Sequence, residues 1–260
     1  MINLDFGYGA LEVEFWRLLF VMTRIGAALL AAPLFGSASV PAQVRVIGAG
    51  AIAVMVCAWT DVQAPPALFS LAGMLSVAGE VLVGLTLGFV LQLSFAAPIM
   101  AAEVIGGGMG MNMAVAVDPT SGTQSPALGQ YFMVVLTLIF LALGAHLQWF
   151  ALLVDSYRAF PPGHTWLGPD RFAMVASFAS QMFVTAVTIA LPVTLVLFIV
   201  QMVTGVLSRS APALNLFSLG LPAGLLAGIA ALMLSTPVLT DLVTRLSADA
   251  ITATSEVMAK

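Results

Sequence analysis

One cysteine, one lysine and two histidines in 260 residues exclude several kinds of chemistry at the outset. With Cys57 alone, no disulfide can close within the chain, and its place in an apolar run points to a buried, inert thiol. Lys260 is the only lysine and the arginines are scattered, so there is no basic patch to neutralise phosphates and nucleic acid is not a partner. The chain has no H-E-x-x-H, no G-x-S-x-G, no Walker A and no cysteine–histidine cluster, so neither catalysis, nor a cofactor, nor a metal site is expected. His146 reads as a satisfied structural histidine and His164 as a loop residue. Charge is also scarce. Eight per cent charged residues against 61% hydrophobic excludes a soluble globule, and the apolar character is spread along the whole length. The chain therefore reads as an integral membrane protein with lipid as part of its surroundings. Asp5, Glu12 and Glu14 are the only charges among the first fourteen residues, unlike the basic start of a cleavable signal peptide, so the N-terminus is expected to be retained. Arg45 and Arg209 fall on one side of an alternating topology and Arg158, Arg171 and Arg245 on the other, so basic residues do not orient it.

What is present is long apolar runs. Glu80 and Glu103 are the only charges between Pro66 and Val117, a stretch that would extend roughly 75 Å as helix against a hydrocarbon core of about 30 Å. Apolar segments are predicted at 15–35, 44–60, 67–97, 98–116, 127–154, 172–208 and 213–236, with Pro98 kinking or splitting the third run. Residues 155–170 form the longest polar connection, and Asp170 is the expected N-cap of the next helix. Segments 172–208 and 213–236 read as an apolar helical hairpin about Arg209-Ser210-Ala211-Pro212. The tail from Val238 is amphipathic: Leu239, Leu242, Val243 and Leu246 share a face, and Asp241, Arg245 and Asp249 follow at four-residue spacing. Trp16, Trp59, Trp149 and Trp166 lie near segment ends and read as interfacial anchors.

Several constellations stand out against this background. Glu80, Gly84, Gly88 and Gln92 recur every four residues on one helix face. That is either a packing seam whose carboxylate meets a polar partner, the preferred reading, or an ion relay. Glu103 carries the same ambiguity. Glu14, Arg17 and Arg24 share a face of the first segment; Arg17 can pair with Glu14, whereas Arg24 needs a partner elsewhere, with an inter-subunit structural role preferred over substrate binding. Gly220, Gly224 and Gly228 make two overlapping Gly-x-x-x-Gly units, a signal for close helix packing. Gly106-Gly107-Gly108-Met109-Gly110-Met111-Asn112-Met113, followed by Asp118-Pro119, lies between membrane-type segments. Lipid cannot satisfy the backbone of such a loop, so it needs a protein environment. Its methionines are either ordinary apolar packing or a compliant seal with glycine hinges.

These segments also resemble a known family. Ala32-Pro33-Leu34-Phe35-Gly36 with Val40-Pro41, Gly79-Glu80-Val81 through Gly88-Phe89, and Gly108-Met109 through Asp118-Pro119 are similar to the FliR family, the flagellar biosynthesis protein of the type III protein export gate. Ser121-Gly122-Thr123-Gln124-Ser125-Pro126, Leu191-Pro192, Arg209 through Phe217 and Gly220-Leu221-Pro222 extend the likeness over nearly the full length. The resemblance implies an all-α membrane protein of long kinked helices and helical hairpins, one subunit of a helical hetero-oligomeric export gate with FliP-type and FliQ-type subunits and an FlhB-type neighbour. It implies a FliP-like part over residues 1–170, a FliQ-like hairpin over 171–240, an amphipathic tail over 241–260, and a channel plug at 106–122. It further implies unfolded flagellar proteins as cargo and a place in the bacterial inner membrane, at the flagellar basal body. The two rival readings are a small-molecule or ion transporter with discontinuous helices and an injectisome export-apparatus homologue.

Overall fold

The computed structural model describes residues 10–65, 68–111, 127–163, 168–210 and 216–259. Among them every regular element is helical. They are α1 (Ala10–Ala31), α2 (Ala42–Trp59), α3 (Leu71–Gly108), α4 (Ala127–Ala142), α5 (Ala145–Ala159), α6 (Pro169–Ser210) and α7 (Leu216–Ala259). Helix is the expected outcome for such chains, because it alone satisfies each backbone group inside its own segment.

The boundaries follow local chemistry. Helix α1 stops two residues before Pro33, which disfavours helical backbone in its predecessor. Pro41 precedes α2 with φ −57°, and the Thr60 amide and hydroxyl both close the far end on the Val56 carbonyl. Helix α6 starts at Pro169, where a missing N–H goes unused. Asp170 is therefore a first-turn residue and not the expected N-cap; it still faces the positive end of the helix dipole.

Three runs differ from expectation. Helix α3 is continuous for 38 residues through Pro98, where a kink or a split was predicted, so the run is not split. Proline removes one hydrogen bond, but leaving the helix in apolar surroundings would expose several backbone groups. Segment 127–154, predicted as one, is two helices bent by 70° at Leu143–Gly144, with Gly144 in left-handed backbone at φ +66°. Helix α7 runs unbroken for 44 residues through Pro222 and Pro237 and takes in the amphipathic tail. Among the described residues four helices are long and apolar enough to cross a membrane, and a fifth span arises if the bent α4–α5 pair is counted as one.

The described residues gather into two compact units. The first takes its residues from Met1–Leu93, Gly144–Ala179 and Ala248–Lys260. Trp149, Arg24, Phe20 and Phe160 are its largest fully buried side chains, followed by Ile25, Leu87, Leu91 and Leu153. The second takes Ser94–Leu143 and Ser180–Ser247. Its core joins Ile105 of α3, Met109 just past its end, Phe132 of α4, Ile189, Val193 and Leu197 of α6 and Ala231 of α7, so both arms of the predicted hairpin contribute to one apolar cluster. One face of α6 remains uncovered in the isolated chain: Leu191, Leu195, Phe198 and Met202 are each more than half exposed.

Candidate functional site

In the first unit, Arg24 and Glu80 meet with Nε 2.7 Å from Oε2, and both side chains are fully buried. The guanidinium has further partners within its own chain. Nη1 donates to the Ser156 carbonyl at 2.7 Å and to Ser156 Oγ at 3.2 Å, and Nη2 donates to the Phe160 carbonyl at 2.8 Å. Its plane lies over the Tyr157 ring at 4.2 Å, and the Tyr157 hydroxyl donates to the Val21 carbonyl at 2.7 Å. The Gly163 amide donates to the second Glu80 oxygen at 3.3 Å. One buried cation thus joins α1, α3, the C-terminal end of α5 and the loop after it. The Ser156 carbonyl already accepts the Phe160 amide at 2.8 Å and offers the guanidinium its second lone pair, while the Phe160 carbonyl lies just beyond the helix end.

The same two helices make the glycine seam. A Cβ on Gly84 would overlap the Arg24 carbonyl oxygen and lie 2.9 Å from Ala27 Cβ. On Gly88 it would overlap the Ala28 carbonyl and lie 2.7 Å from Ala31 Cβ. Gln92, the next residue in the series, is half-buried. Trp149 from α5 closes over the seam, donating its Nε1–H to the Leu87 carbonyl at 3.3 Å. It is 1% exposed, so it is a core residue and not the interfacial anchor predicted; Trp59 is exposed and Trp16 half-buried, and Trp166 lies outside the described residues. Arg17 pairs with Glu14 at 3.3 Å and also donates to the carbonyls of Cys57 and Thr60 at 2.8 and 2.6 Å, which ties α1 to the end of α2. His146 departs from expectation: its Nδ1 is buried without a hydrogen-bond partner among the described residues.

In the second unit, Gly106, Gly107 and Gly108 belong to α3 instead of opening a loop. The helix ends in a paired cap: the Met111 amide reaches the Gly106 carbonyl at 3.0 Å and the Gly110 amide the Gly107 carbonyl at 3.1 Å. Gly110 takes the left-handed position such a cap requires, at φ +79°. Met109 is buried against α7, where a Cβ on Gly228 would overlap its Cε and one on Gly224 would sit 3.6 Å from its carbonyl oxygen. Gly224 and Gly228 thus receive the end turn of α3. Gln201 of α6 donates to the Gly108 carbonyl at 2.8 Å, and Met111 packs at the edge of the cluster. Glu103 is exposed, and no ion pair reaches it among the described residues. Asn112, Met113, Asp118 and Pro119 lie outside the described residues. No group of three or more potential metal ligands occurs among the described residues.

Comparison with known proteins places these features. The family model for bacterial export proteins, family 1, matches residues 15–250. The flagellar biosynthetic protein FliR of Escherichia coli is 32% identical over 219 residues, covering 84% of this chain and 82% of that one. The protein of the same name from Bacillus subtilis is 34% identical over 216 residues, 78% and 80% of the two chains, and that from Caulobacter vibrioides 29% over 217, 83% and 86%. This chain belongs to the FliR family of bacterial export proteins. Both the buried ion pair and the methionine turn fall inside the matched span.

Within this FliR-family chain the α3 turn is open to direct test. Gly228→Val should drive a methyl into Met109 and destabilise the second unit by about 1–3 kcal/mol. Adding Met109→Ala should return part of that loss. Thermal melts of purified protein in detergent measure both, and a Gly228→Val chain as stable as the parent would mean the methionine swings aside freely.

Proposed function

We propose that this chain is a non-catalytic membrane subunit of the bacterial flagellar type III protein export gate. It sits in the inner membrane at the flagellar basal body and completes the export channel with FliP-type and FliQ-type subunits, beside an FlhB-type protein. Unfolded flagellar proteins are the cargo. The observation that carries this reading is the export-family match over residues 15–250, with relatives named flagellar biosynthetic proteins over four-fifths of their length. Helix lengths support it. Helices α3, α6 and α7, at 38, 42 and 44 residues, extend about 57, 63 and 66 Å against a hydrocarbon core of about 30 Å. Apolar faces of that length need protein neighbours as well as lipid.

Residues 1–170 act as the FliP-like part, 171–240 as the FliQ-like hairpin, and 106–122 as the segment that closes the channel at rest. The α3 cap supports an anchored plug, because Met109 and the Gly110 turn hold the base of the segment where the chain leaves the helix after Gly108. One experiment tests both levels. The tagged chain, expressed with its FliP-type and FliQ-type partners, should co-purify with them, and a variant lacking residues 112–122 should co-purify equally but leave membranes leaky to small ions. A chain that, with those partners present in the same cell, purifies without them, as a transporter would, rejects the gate; an assembled deletion variant as tight as the parent rejects the plug.

A further inference from the structure

Glu103 stands in a shallow groove of about 320 Å³ lined by Met100, Val104, Phe183, Ala186 and Val187. Val104, Phe183 and Val187 are 55%, 59% and 59% exposed, while Ala186 is nearly buried and forms the floor. The surrounding surface is uncharged over a long distance. Besides Glu103, the described charged residues of the second unit are Arg209, Asp241 and Arg245, and the last two pair with each other at 3.0 Å. Arg209 is 22 residues beyond Val187 on α6, about 33 Å along the helix. No cation of this unit therefore neutralises Glu103.

A single carboxylate in an exposed apolar groove has few stable settings. In hydrocarbon it costs several kcal/mol. Against lipid headgroups it faces phosphates of its own sign. A groove with apolar walls, a small-residue floor and one acid is complementary to a helix that is apolar apart from one basic residue. We propose that Glu103 forms an ion pair with a lysine or arginine on an apolar helix of a neighbouring subunit of another kind, docked between α3 and α6 across Val104 and Val187. The inference rests on the gate-subunit reading above and adds the chemistry of one contact.

The test uses the intact complex from native membranes. A photo-crosslinking residue is placed at Val104 and, in a separate chain so that one disruptive position does not decide the matter, at Val187. Both should capture a peptide of a different subunit containing a lysine or arginine. Glu103→Lys should lower the yield of hetero-complex by about tenfold or more, because two like charges are then brought together. Changing the captured basic residue to glutamate in the same cell should restore it. Cross-links to lipid, to a second copy of this chain or to a peptide without a basic residue overturn the proposal, as does failure of the charge exchange to restore assembly. If the parent chain still purifies with its partners, only this contact has failed; if it purifies alone, the gate reading has failed with it.

Discussion

Glu80→Ala should destabilise the first unit by about 3–5 kcal/mol, because it leaves Arg24 charged, fully buried and without the carboxylate it pairs with. Arg24→Ala should cost a similar amount, since it removes the cation paired with buried Glu80 and the donor to the Ser156 and Phe160 carbonyls. The pair itself is a different quantity. Desolvating two charges offsets most of their attraction, so Arg24→Met with Glu80→Leu should recover much of the loss suffered by either single variant. Unfolding of purified protein in detergent, followed by the amount of chain that survives in membranes, measures all three. Single variants as stable as the parent would remove the pair from the account of this fold. A double variant worse than both singles would show that the pair does more than neutralise itself. An ion relay through Glu80 would require that carboxylate to exchange with water, whereas here both oxygens are engaged by Arg24 and by the Gly163 amide.

Gly84→Ala should also destabilise the first unit, an unusual outcome for the smallest possible change in a helix. The added methyl meets the Arg24 carbonyl, and backbone cannot turn aside as a side chain can. Helices α1 and α3 must separate, at a cost of about 1–3 kcal/mol for alanine and more for leucine. Gly88→Ala should behave alike against the Ala28 carbonyl. Since the obstructing carbonyl belongs to Arg24 itself, separation also pulls the guanidinium away from Glu80. Gly84→Ala and Glu80→Ala combined should therefore lose less than the sum of the two, a coupling that a double-mutant cycle resolves above about 0.5 kcal/mol. Strict additivity would mean that seam and ion pair are independent. Complex yield and thermal melts should fall together; lost export with unchanged assembly would instead assign this face to the pathway.

Much of this molecule follows from its sequence alone. Long apolar runs and the shortage of charge are enough for an all-α membrane protein, because such a run satisfies its own backbone in lipid as helix, whereas barrel strands are short and alternate in polarity. Four-residue spacing placed Glu80, Gly84 and Gly88 on one face, and the absence of a local partner for Arg24 required a distant one. Such inferences work because helical periodicity is a property of consecutive residues. What could not be read was which groups meet. Nothing near Arg24 in the chain points to Ser156 and Phe160, whose carbonyls matter only because α5 ends beside them. Trp149 has the same sequence surroundings as an interfacial tryptophan, and only the packing of α5 on α3 buries it. The break at Gly144 carries no proline, only a glycine and a fall in apolar character after it, while the proline at position 98 breaks nothing. The glycines at 106–108 read as a hinge, yet helical hydrogen bonds and the cap at Gly110 keep them in α3. Composition and period therefore determined the class of structure and the faces available. Tertiary packing decided the partners, because a buried donor, acceptor or small residue takes whatever the fold brings within a few ångströms of it.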